Sequence, residues 1–370
     1  MTQKTIIHVF PTFGLGGQQR RFAELVDQLT SDFHHRVISL SPDVEAQNLI
    51  QKKQKISVST LDLDKSALTN FANIKKLKRV FADADPDLLC TYNWGAIEAV
   101  IAKQAGPSRK IGHLHFEDGF GPDEGPTRQN KKRVLARRAV LRNTKIIVPS
   151  KTLETLALET WKLKRDNILR IPNGIDVERF TVAERDYNHE EPVTIGTVGA
   201  FRPEKNLKLL IDLYSRQKAN SAAKLLLVGD GPQMSMLKEV SHRSEKAATI
   251  SLPGATNTPE KDYKNFDIFA LTSTTEQMPI GLIEAMIAGL PIIATDVGDV
   301  RDMVASENVP FISAIEDVSS LRSNLEKLLD NPDLRASIGL ANRKKALRDF
   351  DRVAMIETYE NLFRTHSGLA

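Results

Sequence analysis

Two glutamates, Glu276 and Glu284, stand eight positions apart in the almost wholly apolar stretch EQMPIGLIEAMIAGLPIIATDVG (276–298). On one continuous helix their carboxylates would lie about 12 Å apart along the axis, too far for the paired acids of a glycosidase. Pro279 and Gly281 predict instead a helix that begins near residue 280. Glu276 is then left on the preceding loop, and Glu284 falls in the first turn or so, where the helix dipole favours a carboxylate. Backbone N–H groups around Gly281–Ile283 have no intrahelical acceptor in such a turn and can hold a phosphate. Two carboxylates flanking an amide-lined anion site suit a ligand with both phosphates and vicinal hydroxyls. A nucleotide sugar fits that description, and a plain capping role for Glu284 is the competing reading.

Three further loops carry glycine after a strand-like run. In TFGLGGQQRR (12–21), Gly14, Gly16 and Gly17 allow tight turns and close backbone approach ahead of a helix. The third position of the dinucleotide fingerprint is occupied by Gln19, so a Rossmann dehydrogenase finds little support. VGAFRPEKN (198–206) sets Arg202 and Lys205 on one strand-to-helix connection, where cations can meet phosphates. VGDGPQMSML (228–237) is the third such loop. Taken singly, each reads equally well as an ordinary turn or as solvated surface cations.

The elements that must position these residues alternate regularly. Strand-like runs at 6–10, 36–40, 87–92, 110–115 and 145–150 are matched in the second half by runs at 193–199, 224–229, 267–273 and 290–295. Helical patterns lie between them, which predicts an α/β fold of parallel sheets covered on both faces. With 370 residues, two domains are expected. The polar segment DVERFTVAERDYNHEEP (176–192) marks the boundary, giving two Rossmann-like doubly wound domains that face each other across a cleft, at 1–175 and 176–351. Ligands of open parallel sheets sit at the carboxyl ends of the strands.

Composition adds bounds. The chain is 41% hydrophobic and 26% charged with a net charge of +4, the balance of a soluble globular protein. A single cysteine, Cys90, suits a reducing cytoplasm, and the first residues do not have the form of a signal peptide. The one candidate span, 278–295, contains Glu284 and is broken by Pro279, Gly281, Gly289 and Pro291, so a buried helix followed by a buried strand is expected there.

In this order, the motifs resemble those of the retaining family 4 glycosyltransferases of the GT-B fold, over nearly the whole chain. Residues 276–284 look like that family's E-x7-E motif, and IPNGIDVERF (171–180) is similar to its inter-domain P-N-G-x-D-x-x-x-F. GDGP (229–232) and GLGGQQRR fall where the family has corresponding loops. The resemblance implies that Glu284 holds the ribose hydroxyls and Glu276 the donor sugar. It places amides near Met278, Ile280 and Gly281 against sugar and phosphate, with Leu282 and Gly254 also among the nucleotide-sugar contacts. Arg202 and Lys205 would neutralise the diphosphate as the glycosidic bond breaks, and Gly16 and Gly17 would let the first loop approach donor and acceptor. A histidine after a central strand is assigned to His115 in IGHLHFEDG, with His113 as runner-up. Two positions depart from the family pattern: Ala200 stands where an arginine is usual and Gln277 where a glycine is usual, while Pro279 offers no N–H.

By the same resemblance, the reaction retains anomeric configuration and needs neither metal nor other cofactor, the leaving phosphate taking the acceptor's proton. DADPD (83–87) reads as a helix-to-strand connection rather than a metal site. The domain 1–175 would bind a carbohydrate or lipid-linked acceptor, helped by a C-terminal helix (352–370) that crosses back to it, and 176–351 would bind the donor. Cell-surface polysaccharide or glycolipid synthesis in the cytoplasm is the expected setting, at the inner membrane face if the chain binds lipid. The loop HFEDGFGPDEG (115–125) carries four acids that could grip acceptor hydroxyls or fold over the cleft. KKRVLARRAVLRNTK (131–145) carries seven cations and no acid. That helix could touch an anionic acceptor or a membrane surface, or simply be solvated with Val134, Leu135 and Leu141 inward. The rival readings are another GT-B enzyme, an epimerase or phosphorylase, and a basic protein that docks on membrane or nucleic acid. The lack of interleaved aromatics argues against nucleic acid.

Overall fold

A computed structural model describes residues 3–64, 70–105, 110–120, 124–125, 128–182, 185–187, 191–218 and 222–369. Residues 121–123 of the acidic loop, and 183–184 and 188–190 of the polar segment 176–192, lie outside the described residues. The chain divides into two compact units, Met1–Asn173 with Val353–Ala370, and Gly174–Arg352.

The first unit is built on seven strands: β1 (Lys4–Phe10), β2 (Phe33–Ser39), β3 (Ile56–Thr60), β4 (Leu88–Tyr92), β5 (Gly112–Phe116), β6 (Lys145–Val148) and β7 (Ile168–Arg170). All pair in parallel, in the order β3-β2-β1-β4-β5-β6-β7. The central strands are buried along most of their length because helices cover both faces. Every residue of LLCTY in β4 is buried. One face packs on the helix Gly17–Gln28 and on the final helix Arg352–Ser367, whose Met355, Tyr359, Leu362 and Phe363 join Phe10, Phe22 and Phe33 in a single core cluster.

The second unit holds β8 (Val193–Val198), β9 (Ala223–Val228), β10 (Ile250–Gly254), β11 (Ile268–Leu271), β12 (Ile292–Thr295) and β13 (Ile312–Ser313), parallel in the order β10-β9-β8-β11-β12-β13. The apolar stretch 278–295 resolves into the buried helix Ile280–Ile287 followed by β12. No helix among the described residues is long and apolar enough to cross a membrane.

In each sheet the chain winds outward to one edge and then returns to wind toward the other. The reversal falls between β1 and β4 in the first sheet and between β8 and β11 in the second. Connections leaving the carboxyl ends of those neighbouring strands diverge, and the crevice that opens between them is where such sheets take ligands.

Candidate active site

At the reversal of the second sheet, the connection after β8 meets the connection after β11. The first runs through Gly199 and Ala200 to a short turn, Pro203–Lys205, with exposed Arg202 at its start. The second carries Ser273 and Glu276. Lys205 Nζ lies 2.5 Å from Glu276 Oε1, and Ser273 Oγ donates to the same oxygen at 2.8 Å. The backbones are fastened too, as Thr272 Oγ1 donates to the Lys205 and Asn206 carbonyls and the Thr274 N–H to the Glu204 carbonyl. The Glu276 side chain is 11% exposed, so its carboxylate is fixed in direction but reachable.

Glu276 is held from below by a glycine. Gly298 has φ of +55°, and a Cβ there would stand 2.4 Å from the Glu276 carbonyl oxygen and 2.6 Å from that of Gln277. Only glycine lets the loop after β12 pass so close in a left-handed conformation.

The helix Ile280–Ile287 opens just beyond, capped by Pro279. Its first-turn N–H groups have no intrahelical acceptors, although that of Leu282 turns back to the Pro279 carbonyl at 3.2 Å. A Cβ on Gly281 would lie 3.5 Å from the Val198 carbonyl oxygen, so the helix start abuts the carboxyl end of β8. Met278 and Leu282 are buried, which leaves them only backbone to offer a ligand. Glu284 is the fifth residue of the helix, and no acid stands in the first turn. This corrects the expected first-turn position. The carboxylate is directed not by the helix end but by Tyr263, whose hydroxyl donates to Glu284 Oε2 at 2.8 Å. Burial first, and then the adjacent Glu284, push the Tyr263 hydroxyl well above its usual range, so it keeps its proton to donate. Gly254, at φ +100°, ends β10 and accepts from the Gly229 N–H at 2.8 Å.

At the reversal of the first sheet, Gly16 precedes and Gly17 begins the helix Gly17–Gln28. That helix presents Gln18 and Arg21. Asp118, on the connection after β5, pairs with Arg21 Nη2 at 2.5 Å and accepts from Gln18 Nε2. Asn93, after β4, has φ of +55°. Its side chain accepts from the Asp118 N–H at 2.8 Å and donates to Gln18 Oε1 at 3.1 Å. Arg21 also donates to Asn173 Oδ1 at 2.7 Å. Burial works against the Arg21 charge, but Asp118 more than offsets it and the guanidinium stays protonated. The closed ring of contacts aims a carboxylate, 12% exposed, from the carboxyl edge of the sheet.

Two family profiles match the chain in tandem: Glycosyltransferase Family 4 over residues 15–179 and Glycosyl transferases group 1 over 181–345. The chain belongs to the family 4 glycosyltransferases. It is 20% identical over 293 residues (78% of this chain, 57% of the relative) to the poly(ribitol-phosphate) alpha-N-acetylglucosaminyltransferase of Staphylococcus aureus. It is 23% identical over 329 residues (83% and 82%) to the UDP-Gal:alpha-D-GlcNAc-diphosphoundecaprenol alpha-1,3-galactosyltransferase of Escherichia coli. For three of the curated relatives the matched region is little more than half of their own length, 57%, 54% and 57%. Among solved structures, Anabaena HepE in complex with UDP superposes with a TM-score of 0.80 at 16% identity, covering 98% of this chain and 100% of that one. The fold is GT-B, with one parallel α/β unit of seven strands and one of six.

Within this glycosyltransferase the structure gathers Lys205, Glu276, Ile280 and Gly281 at one sheet reversal, with Glu284 in the next turn of the helix. Arg202 is exposed at the start of its turn. His115 differs from expectation. Its side chain is fully buried inside the unit, with Nδ1 2.8 Å from Thr91 Oγ1 and Nε2 3.5 Å from Glu117 Oε1. His113 shares the same face and bonds the same Thr91 hydroxyl at 2.9 Å. The residue that reaches the edge beyond β5 is Asp118. It sat unremarked among four acids, and its signal lay in partners, Gln18 and Arg21, about a hundred residues away in sequence.

The acidic loop and basic helix also resolve differently. Glu117 and Glu124 do not point outward for an acceptor. They meet Arg137, fully buried, at 3.0 and 3.3 Å, and its guanidinium carbon lies 5.0 and 4.9 Å from the ring centres of Trp94 and Trp161. Burial pushes Glu117 up, yet Arg137 and His115 outweigh that and hold the carboxyl below its usual range. Arg137 therefore takes the inward position expected of Leu135, which is 65% exposed.

Proposed function

We propose that the chain transfers a sugar, with retention at the anomeric carbon, from a nucleoside diphosphate sugar to an acceptor of the cell surface, in the cytoplasm and without a metal. The observation that carries this reading is Glu276, fixed by Lys205 and Ser273 beside the free opening of the helix Ile280–Ile287. A carboxylate beside first-turn amides and a cation matches a donor that brings hydroxyls and phosphates to one point. Lys205 and Arg202 would meet the charge that grows on the leaving diphosphate, held in place before the bond breaks. Glu276 would accept from sugar hydroxyls and Glu284 from the ribose diol. The departing phosphate oxygen would take the acceptor's proton on the face it leaves. Asp118, oriented by Arg21 and Gln18, would hold the acceptor hydroxyl group. A polyol phosphate or a lipid-diphosphate-linked glycan is the proposed acceptor class, from the acceptors named for the two relatives.

The test is incubation with a panel of nucleoside diphosphate sugars in the presence of a chelator, followed by NMR of the anomeric proton. Release or transfer of sugar with its donor configuration supports the proposal. Inverted product, or turnover that stops with the chelator and returns with added magnesium, would refute the corresponding part.

A further inference from the structure

The contacts of the buried Arg137 lead to Asp118 by two routes. On the first, Arg137 Nε donates to Glu117 Oε1 at 3.0 Å, and Glu117 is the residue before Asp118. The other carboxylate oxygen, Glu117 Oε2, is buried with no hydrogen-bond partner among the described residues. The side chain is therefore held through Oε1 alone, by Arg137 and by His115 Nε2 at 3.5 Å. The Glu117 N–H carries the sheet ladder one step past β5, donating to the Ile147 carbonyl at 3.0 Å. Successive side chains of an extended chain point to opposite sides. Glu117 accordingly meets the helix Lys131–Val140 and Asp118 the helix Gly17–Gln28, each on its own arginine. The second route runs through Trp94. The guanidinium carbon of Arg137 stands 5.0 Å from the Trp94 ring centre, and Trp94 follows Asn93, whose side chain accepts from the Asp118 N–H at 2.8 Å.

Arg137 also fastens the chain beyond Asp118. Its Nη1 donates to Glu124 Oε2 at 3.3 Å, and Glu124 Oε1 accepts from the Asn130 N–H at 2.9 Å, where the helix begins. Asp118 thus lies in sequence between two acids that one cation holds. Apolar residues of similar volume often replace such a buried ion network without loss of stability, so fixing a geometry is its better-supported use. We propose that Arg137 is a positioning residue for the transfer step: it fixes the Asp118 carboxylate and so governs use of the acceptor, not binding of the donor. This inference rests on the reading of Asp118 as the group that holds the acceptor hydroxyl.

Amide hydrogen exchange and steady-state kinetics on the full chain test this together. Arg137→Met removes the cation, and Glu124→Gln is the milder variant should that one fail to fold. The triple variant E117Q/E124Q/R137M leaves no unpaired charge in the interior and is expected to recover most of the melting temperature lost in Arg137→Met. Exchange at the Asp118 amide should quicken at least tenfold in Arg137→Met and in the triple variant, and less in Glu124→Gln, with the β1 amides unchanged. Turnover on acceptor should fall at least tenfold in the same two variants, while the nucleotide dissociation constant stays within about twofold. Recovery of exchange protection and turnover along with melting temperature in the triple variant would show that Arg137 acts through stability alone, and would overturn the proposal. Unchanged exchange at Asp118 in the variants, or faster exchange with turnover intact, would overturn it too. Exchange needs no substrate. Faster exchange in a chain that transfers sugar from no donor would therefore support the placement of Asp118 by Arg137 and count against the proposed reaction instead.

Discussion

The Tyr263 hydroxyl stands 2.8 Å from Glu284 Oε2 and 3.2 Å from the Gly281 carbonyl oxygen, on a ring buried against Phe266 and Phe269. One side chain thus ties Glu284 to the helix opening. Tyr263→Phe keeps the ring and removes the donor. Because a hydrogen bond to a charged group is worth about 1.5–3 kcal/mol, nucleotide affinity should fall by at least tenfold. Calorimetric titration reads this directly, and an unchanged dissociation constant would mean that Glu284 is not held by Tyr263 for binding. Asp118→Asn makes the complementary case in the first unit. The amide keeps the shape but loses the charge that Arg21 neutralises, so turnover on acceptor should drop by about a hundredfold while the nucleotide dissociation constant stays within twofold. Steady-state kinetics beside nucleotide titration checks the split. The Glu276 and Glu284 pair was legible from residue type, spacing and the Pro and Gly between them. Asp118 was not, because what distinguishes it from Glu117 and Glu124 is which arginine each one meets.

At the scale of elements, the loop that holds Glu276 depends on its neighbour after β12. Gly298→Ala would strain a left-handed residue and drive a methyl group into the Glu276 carbonyl. A cost of about 1–3 kcal/mol in unfolding free energy is expected, with weaker donor binding. Denaturant melts and titration of the same variant check both halves. The strands read from sequence and those observed differ in a regular way. Every strand in the interior of either sheet was legible as a strand-like run between helical patterns. The four that were not, β3, β7, β10 and β13, are the four sheet edges. An edge strand is covered less and is kept short or polar. ISVST in β3 and ISLPG in β10 alternate between half-buried and exposed, and β13 is two residues long. The helix Lys131–Val140 misled for a related reason. Its buried residue is a cation whose compensation, two acids and two tryptophans, comes from other elements.

For the whole molecule, charge and burial divide unevenly between the units. The first buries a histidine pair under its sheet, with His8 Nδ1 2.8 Å from Tyr92 Oη and Nε2 3.0 Å from His35 Nδ1. Burial, and then His34 and Lys55, lower His35 to about 3. Burial and then His35 lower His8, and burial and then His115 lower His113. These rings are neutral in the fold, whereas the unfolded chain takes up protons below about pH 6.5. The stability they represent is therefore complete above that pH and is lost as pH falls from about 6.5 toward about 3. Denaturant melts at pH 7.5 and pH 5 should show the first unit losing stability, with a shallower slope in His35→Gln, and equal midpoints at both pH values would contradict this. In the second unit, the proposed site for a nucleoside diphosphate is where Glu276 and Glu284 flank the opening of the helix Ile280–Ile287. Titration of nucleoside diphosphates, without metal, into wild type, Glu284→Ala and Glu276→Ala tests it most directly. Binding by wild type is expected, with a loss of at least tenfold in Glu284→Ala and a smaller loss in Glu276→Ala, whose proposed partner is the sugar. Equal and negligible effects of the two substitutions would contradict it.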